Sequence, residues 1–375
     1  MKIYNKLKMD KNKKIHSLKK TVKIVNKLKN KTLEMVKKKA LLFIILFYVI
    51  LQIAYTSQQF GLWWDSEVYI GMGKYIFSGG KAGIWEVFRP IITPLLLGTI
   101  WKLNLPVVLV GTILDTIFSI VNISLIYFIA KKLANKTAAL YSALIFATTP
   151  LLILYPGLML TEPLAIMFML LATYFFITRK HRTTKWGPLA LSGFFIGLAV
   201  LTKFPTGIVL PAIFVAILFR KDMGGIKTTI KQKIKKIEIV GISFFLTILP
   251  FLIFNQIAYG NFLIAFSTGS DIISTYSWLY GSGLKYYFTE FFKIEFIFLL
   301  AGIGLIIFLF KKEWKKEGEN IIYTTIVLFL IYFGLFVERK EVRYMTLLIP
   351  FLAISSGIII DKIKYGSQKI IEIKL

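Results

Sequence analysis

The sequence contains no cysteine and only two histidines, His16 and His181. The absence of cysteine excludes disulfide scaffolds, thiolate zinc sites, iron–sulfur clusters and cysteine nucleophiles. Acidic residues are also scarce, because 19 Asp and Glu stand against 47 Lys and Arg in 375 residues. Any catalysis must therefore use carboxylates, lysine, arginine or hydroxyl groups. What the chain has instead is apolar surface: 56% hydrophobic residues and a mean hydropathy of +0.69 are typical of integral membrane proteins.

The net charge of +28 is concentrated at the N-terminus. Residues 1–39 hold fifteen lysines against Asp10 and Glu34, which gives +13 in this tail. Its apolar residues recur at roughly helical spacing and predict a basic amphipathic helix on an anionic membrane face. A solvated tail that only enforces orientation is the alternative. The remaining charge is spread over loops, so we predict no nucleic-acid partner.

Ten segments are predicted to cross the membrane, because a bilayer core of about 30 Å needs roughly 17–25 apolar residues in a helix. The short apolar stretch 90–103 carries Pro90 and Pro94, and we interpret it as an interfacial helix within a long first external segment, 57–106. The predicted fold is all-α, with a membrane domain over 40–360 and a second tail over 361–375. The ten segments lie near 40–56, 107–129, 137–153, 163–178, 188–202, 206–219, 237–254, 294–310, 320–336 and 344–360.

Charge alternation along these segments predicts the orientation. Lys and Arg cluster in every second connection and in both tails, while the other connections carry acidic residues. The positive-inside rule then places both termini in the cytoplasm and the acid-bearing segments outside. Lysine-rich, cysteine-free composition suits the plasma membrane of a prokaryote.

The first candidate site residues follow the first span. Asp65 and Glu67 lie in the motif WWDSEVY, where they can act as a partly desolvated base or hold a divalent cation. The structural alternative is a pair of hydrated loop acids beside interfacial aromatic residues. Arg89, before Pro90, can bind a phosphate with its guanidinium or reach for the membrane interface.

Three further candidates stand at the outer ends of later spans. Glu162 precedes Pro163, where interaction with the helix dipole is the alternative explanation. Lys203 occupies a tight external turn that orientation does not require to be basic. Arg343 precedes Tyr344 at the head of the last span, where we expect the guanidinium to enter a cavity.

Asp115 lies about two turns inside the second span, and we expect it to pair with Lys203 or Arg89. The aromatic external segment 255–293 is interpreted as a loop that covers the substrate, with an aromatic girdle at the interface as the alternative.

These residues, in this order, resemble the GT-C class of polytopic glycosyltransferases that use polyprenyl-phosphate sugars, in the superfamily of protein O-mannosyltransferases and lipid A aminoarabinose transferases. The resemblance implies that Asp65 is the essential acid of the first external loop, with Ser66 separating it from Glu67 where relatives often have adjacent acids. It also implies roles in binding substrate or lipid phosphate for Arg89, Glu162, Lys203, Arg343 and Tyr344. The motifs that carry the resemblance are GLWWDSEVY, FRPIITPLLLGTIWKL, PLLILYPGLMLTEPLA, GLAVLTKFPTGIVLPA and ERKEVRYMTLLIPFLAI.

The expected donor is therefore a polyprenyl- or dolichyl-phosphate sugar, and the expected acceptor a glycan, lipid or protein. Cations would hold the departing phosphate and Asp65 would take the acceptor proton, which inverts the anomeric centre in a mannosyltransferase-like reaction. Two alternatives remain. A transporter or flippase of lipid-linked or anionic solutes would depend on Asp115, and a non-catalytic assembly protein would tolerate conservative changes at the acids and cations.

Overall fold

The computed structural model describes residues 39–56, 61–178, 186–219, 229–275, 281, 283, 285–310 and 317–374. These residues form helices and connecting turns, with one isolated β-bridge between Gly281 and Lys340. The all-α prediction is confirmed. Residues 1–38, most of the basic connections after spans four, six and eight, and the aromatic residues at 276, 278 and 280 lie outside the described residues.

The α-helices divide the chain into long rods and short connecting pieces. Short 3₁₀ helices span Phe204–Ile208, Phe296–Phe298 and Val342–Leu347, and π-helical turns span Tyr287–Phe291 and Tyr332–Phe336. The α-helices are α1 (Lys39–Thr56), α2 (Trp64–Phe77), α3 (Ile92–Lys102), α4 (Val107–Leu133), α5 (Lys136–Ala147), α6 (Pro150–Leu154), α7 (Glu162–Thr178), α8 (Gly187–Thr202), α9 (Val209–Leu218), α10 (Ile230–Tyr259), α11 (Ile264–Thr275), α12 (Phe292–Ile294), α13 (Leu299–Phe310), α14 (Glu317–Ile331) and α15 (Ile349–Lys374).

Each predicted span coincides with helix in the described residues. Four helical segments are long and apolar enough to cross a bilayer, namely α1, α4, α10 and Gly318–Phe336, and five more are apolar over 10–17 residues. The chain is thus a multi-pass membrane protein, while the number of ten crossings stays a prediction. The predicted helix after Pro90 is present as α3, and a second helix, α2, precedes it in the same segment.

One predicted span is interrupted, and one helix extends past its predicted span. The span expected over 137–153 ends at Ala147, and Pro150 begins the separate short helix α6. Proline lacks the N–H that would continue the first helix, so α5 covers only about 18 Å at 1.5 Å per residue. The last span was expected to end near 360, but α15 continues to Lys374.

The segment between α1 and α4 contains a helical hairpin. Helices α2 and α3 pack with their backbones in close contact at Gly73 and Gly98. A Cβ atom on Gly73 would lie 2.6 Å from the nitrogen of Gly98, so the approach requires glycine. This packing fixes α2, which carries Asp65, against α3, which follows Arg89.

The centre of the bundle is α7, whose N-terminus carries Glu162. It packs between α4 and α8, and α8 in turn packs against α10. On the other side, α5 packs against both α4 and α15. The start of α7 therefore lies where the loops before α3, after α8 and before α15 can reach it.

Candidate active site

Asp65 joins two arginines that are distant in sequence. It lies in the first turn of α2, and its Oδ1 atom accepts a hydrogen bond from Nη1 of Arg89 at 2.8 Å. Its Oδ2 atom accepts from Nη1 of Arg343 at 2.6 Å. Each carboxylate oxygen therefore accepts one charge-assisted hydrogen bond, and the two bonds come from different guanidinium groups.

Arg89 is held from three sides in the turn that precedes α3. Its Nε donates to Oε2 of Glu86 at 2.8 Å, and its Nη1 lies 3.4 Å from the hydroxyl of Tyr69. The guanidinium carbon also lies 5.3 Å from the centre of the Tyr69 ring, within cation–π range. These contacts orient the guanidinium toward Asp65.

Glu162 begins α7 and is the most deeply buried acid at the site, with 1% of its surface exposed. Its Oε1 atom accepts from Nζ of Lys203 at 2.9 Å and from Nε of Arg343 at 2.6 Å. Thr161 donates to the other carboxylate oxygen at 3.3 Å. A buried carboxylate with two cations and a hydroxyl avoids the cost of unpaired burial.

Arg343 bridges the two acids from the 3₁₀ helix Val342–Leu347. Its Nη1 binds Asp65 and its Nε binds Glu162, so a single side chain joins α2 to the start of α7. Together these contacts define the ion-pair cluster, which has three acids and three cations and hence no net charge. Its members are Asp65, Glu86, Arg89, Glu162, Lys203 and Arg343.

The cluster keeps Asp65 ionised. Burial alone would raise the pKa of this carboxyl, but the positive charges of Arg343 and then Arg89, with their hydrogen bonds, hold the pKa below its ordinary value. Asp65 is therefore a carboxylate at neutral pH. Its basicity is low while both guanidinium groups remain bound to it.

Two residues predicted for the site lie outside the cluster. Glu67 is exposed, and in a helix a residue two positions from Asp65 lies about 200° around the axis. Tyr344 places its hydroxyl 3.3 Å from Oε1 of Glu341 and stacks its ring on Phe333. The expected pairing of Asp65 with Glu67 is thus not seen, because the segment is helical.

The expected partner of Asp115 was wrong. Lys203 binds Glu162, and Arg89 binds Asp65 and Glu86. Asp115 accepts instead from the backbone N–H groups of Gly157 and Met159, at 3.3 and 3.1 Å.

Sequence reasoning missed two members of the site, Glu86 and Tyr69. Spacing could have indicated both, since Glu86 lies three residues before Arg89 and Tyr69 lies four residues after Asp65 on one helix face. The spacing of Asp65 and Tyr69 becomes informative only when α2 is known to be a helix.

Asp65 and Glu67 do not form a site for a divalent cation in this arrangement. Both oxygens of Asp65 are occupied by guanidinium groups, and Glu67 lies on another face of α2. Within the described part of the chain, no group of three or more acidic or histidine side chains has the arrangement of a metal site.

Part of the sequence and most of the fold match known proteins. Residues 89–254 match the sequence profile of the dolichyl-phosphate-mannose-protein mannosyltransferase family, while no curated protein matches the chain. The structure of ArnT from Cupriavidus metallidurans bound to undecaprenyl phosphate superposes with a TM-score of 0.67 at 14% sequence identity, over 88% of this chain and 62% of that one. The chain has the GT-C fold. The GT-C resemblance drawn from the motifs is therefore confirmed.

A second GT-C structure is more distant. The Archaeoglobus fulgidus oligosaccharyltransferase tethered to an acceptor peptide gives a TM-score of 0.58 at 14% identity, over 88% of this chain and 50% of that one. The present chain thus spans less than two thirds of the length of either relative.

Proposed function

We propose that this chain is a membrane glycosyltransferase that transfers a sugar from a polyprenyl-phosphate donor to a hydroxyl acceptor at the outer face of the membrane. The observation that carries the proposal is the ion-pair cluster, in which Asp65, Glu162 and Arg343 meet although up to 278 residues separate them in sequence. The family match over residues 89–254 and the bound undecaprenyl phosphate of the similar ArnT structure support the choice of donor.

The cations fit the charge that develops on the leaving group. A polyprenyl-phosphate sugar is a phosphodiester with one negative charge, and cleavage of the bond from the anomeric carbon to oxygen leaves a phosphate monoester with a second charge. Cations fixed near that oxygen stabilise the transition state more than the bound donor. Arg89, Lys203 and Arg343 supply three of them.

Donor binding also activates the base. Because the cluster is neutral without substrate, the donor phosphate must compete with Asp65 and Glu162 for the guanidinium groups. When Arg343 and Arg89 turn toward the phosphate, Asp65 loses the charges that depress its pKa and becomes a stronger base. The base and the binding site for the leaving group are thus coupled through the same two arginines.

The reaction then proceeds in one displacement. The acceptor oxygen attacks the anomeric carbon on the face opposite the phosphate, its proton passes to the carboxylate of Asp65, and the electron pair of the broken bond stays on the phosphate oxygen. The products are an inverted glycoside, a polyprenyl phosphate and protonated Asp65. No step requires a metal ion or a separate acid, because the phosphate leaves as a stable anion.

The test uses the purified full chain with a panel of polyprenyl-phosphate sugars, mannose included, and with hydroxyl acceptors of protein, lipid and glycan type. Release of polyprenyl phosphate is the readout. Asp65→Asn should lower kcat by about 10²–10⁴, the usual contribution of a general base. Glu67→Gln is the matched control, since it neutralises an exposed acid on the same helix, and it should leave kcat unchanged. Equal release by wild type and Asp65→Asn with every donor would reject the proposal.

A further inference from the structure

The loop that carries Glu162 to its place has an unusual backbone. It covers residues 155–161, between α6 and α7, and we call it the clamped loop. Gly157 has φ of 92° and Met159 has φ of 51°. A side-chain-bearing residue is strained in this left-handed region, so the surrounding structure must hold Met159 in place.

Helix α4 supplies that restraint through polar side chains on one face. Oδ2 of Asp115 accepts from the N–H groups of Gly157 and Met159, and Thr112 donates to the carbonyl of Gly157 at 3.3 Å. Further along the same face, Asn122 donates to the carbonyl of Pro163 at 2.9 Å. The spacing of 112, 115 and 122 is that of one helix face, and its bonds extend from the clamped loop into the first turn of α7.

The clamped loop is also hydrogen-bonded to α2, the helix that carries Asp65. The Ser66 hydroxyl donates to the carbonyl of Leu158, and Gln52 of α1 donates to the carbonyl of Pro156 at 2.8 Å. Ser66 is the immediate neighbour of Asp65. The clamped loop therefore connects α2 to α7, and its conformation sets the position of Asp65 relative to Glu162.

We propose that Asp115 is a positioning residue for the transfer reaction: by holding the N–H groups of Gly157 and Met159, it fixes the clamped loop and so places Glu162 to orient Lys203 and Arg343. The inference rests on the proposed function for its kinetic consequence. Its structural part stands independently, because only two residues, Leu160 and Thr161, separate Met159 from Glu162 and leave little freedom for one to move without the other. Asp115 acts through its oxygen atom as an acceptor and takes no part in proton transfer or transport.

The conservative variant separates this role from one that needs the charge. Both loop N–H groups bind the same oxygen of Asp115, so the amide oxygen of Asp115→Asn can accept both. We expect kcat per folded molecule to fall less than about threefold in Asp115→Asn and about 10²-fold in Asp115→Ala, the loss that a displacement of about 1 Å can cause. KM for the donor should change much less than kcat. Ser124→Ala is the control on α4, because that hydroxyl bonds only its own helix, to Ile120.

A measurement that does not depend on catalysis distinguishes failure of the positioning role of Asp115 from failure of the proposed function. Hydrogen–deuterium exchange of the peptide that contains residues 155–163 should be faster in Asp115→Ala than in wild type and unchanged in Asp115→Asn and Ser124→Ala. Thr112→Val, which removes one bond to the loop and keeps the side-chain volume, serves if Asp115→Ala does not fold, and it should show an intermediate rise. The inference is overturned if exchange is unchanged in both Asp115→Ala and Thr112→Val. It is also overturned if kcat falls as much in Asp115→Asn as in Asp115→Ala. Absence of donor turnover in the wild type would reject the function alone.

Discussion

Two buried acids of this protein, Glu162 and Asp115, are satisfied in opposite ways. Glu162 binds the cationic side chains of Lys203 and Arg343, which come from other parts of the chain. Asp115 binds backbone N–H groups of one loop. Long side chains can exchange one anion for another, so the partners of Glu162 remain available to a phosphate. The backbone N–H groups that bind Asp115 are fixed in a loop and are not available in this way. In the proposed function, Glu162 organises the binding site and Asp115 holds the loop that supports it.

The sharpest test of this difference is Arg343→Lys. The guanidinium bridges Asp65 and Glu162 with two nitrogens, and a lysine ammonium on a flexible stem cannot reproduce that fork. We expect kcat/KM for the donor to fall about 10²-fold although the charge is kept. Arg339→Lys is the control, because Arg339 pairs with Glu341 outside the cluster, and it should stay near wild type. Equal activity of both variants would show that the bridge is unimportant.

A smaller effect on activity, with a measurable effect on stability, is expected for Glu162→Gln. Removing the charge leaves Lys203 and Arg343 buried with less compensation, and loss of one partner from a buried ion pair typically costs about 3–5 kcal/mol. The apparent melting temperature should drop clearly. We expect kcat to fall only about tenfold, because the amide oxygen of the variant side chain can still accept hydrogen bonds from Lys203 and Arg343. Glu67→Gln, at an exposed position, should leave the melting temperature unchanged. A melting temperature of Glu162→Gln equal to that of wild type would contradict the buried pairing.

The smallest expected effect is on the pH dependence of the melting temperature. The pKa of Asp65 is lowered in the folded protein from an ordinary value of 3.8, so its pairing adds stability at higher pH, and this contribution is lost as the pH falls through the lowered pKa. The melting temperature of wild type should exceed that of Asp65→Asn by a constant margin at pH 5–7. The margin should shrink below about pH 3.8. A margin that grows on acidification would reverse the sign and contradict the ion pairing of Asp65.

The sequence predicted the helices well because their signal is local. Apolar runs of about 17–25 residues stand out against a charged background, and so does the short helix after Pro90. The break before Pro150 was less visible, since the residues on both sides are equally apolar. Charged residues close to the predicted outer ends of the apolar segments also identified Asp65, Arg89, Glu162, Lys203 and Arg343 as candidates.

The partners of those charges could not be read from the sequence. Arg343 lies 278 residues from Asp65, and nothing local says that one guanidinium joins it to Glu162. Glu67 was grouped with Asp65 because the two are close in sequence, but helical geometry separates them. The ligands of Asp115 are backbone N–H groups, which every residue except proline carries, so no residue type could indicate them.

The most direct measurement of the central claim is kcat for donor cleavage by Asp65→Asn and Asp115→Asn, assayed side by side with the same donor and normalised to folded protein. The account predicts that Asp65→Asn falls about 10²-fold or more below Asp115→Asn, because one carboxylate takes a proton and the other only accepts hydrogen bonds. Equal losses, or a larger loss in Asp115→Asn, would contradict it and favour a transport role for the buried charge.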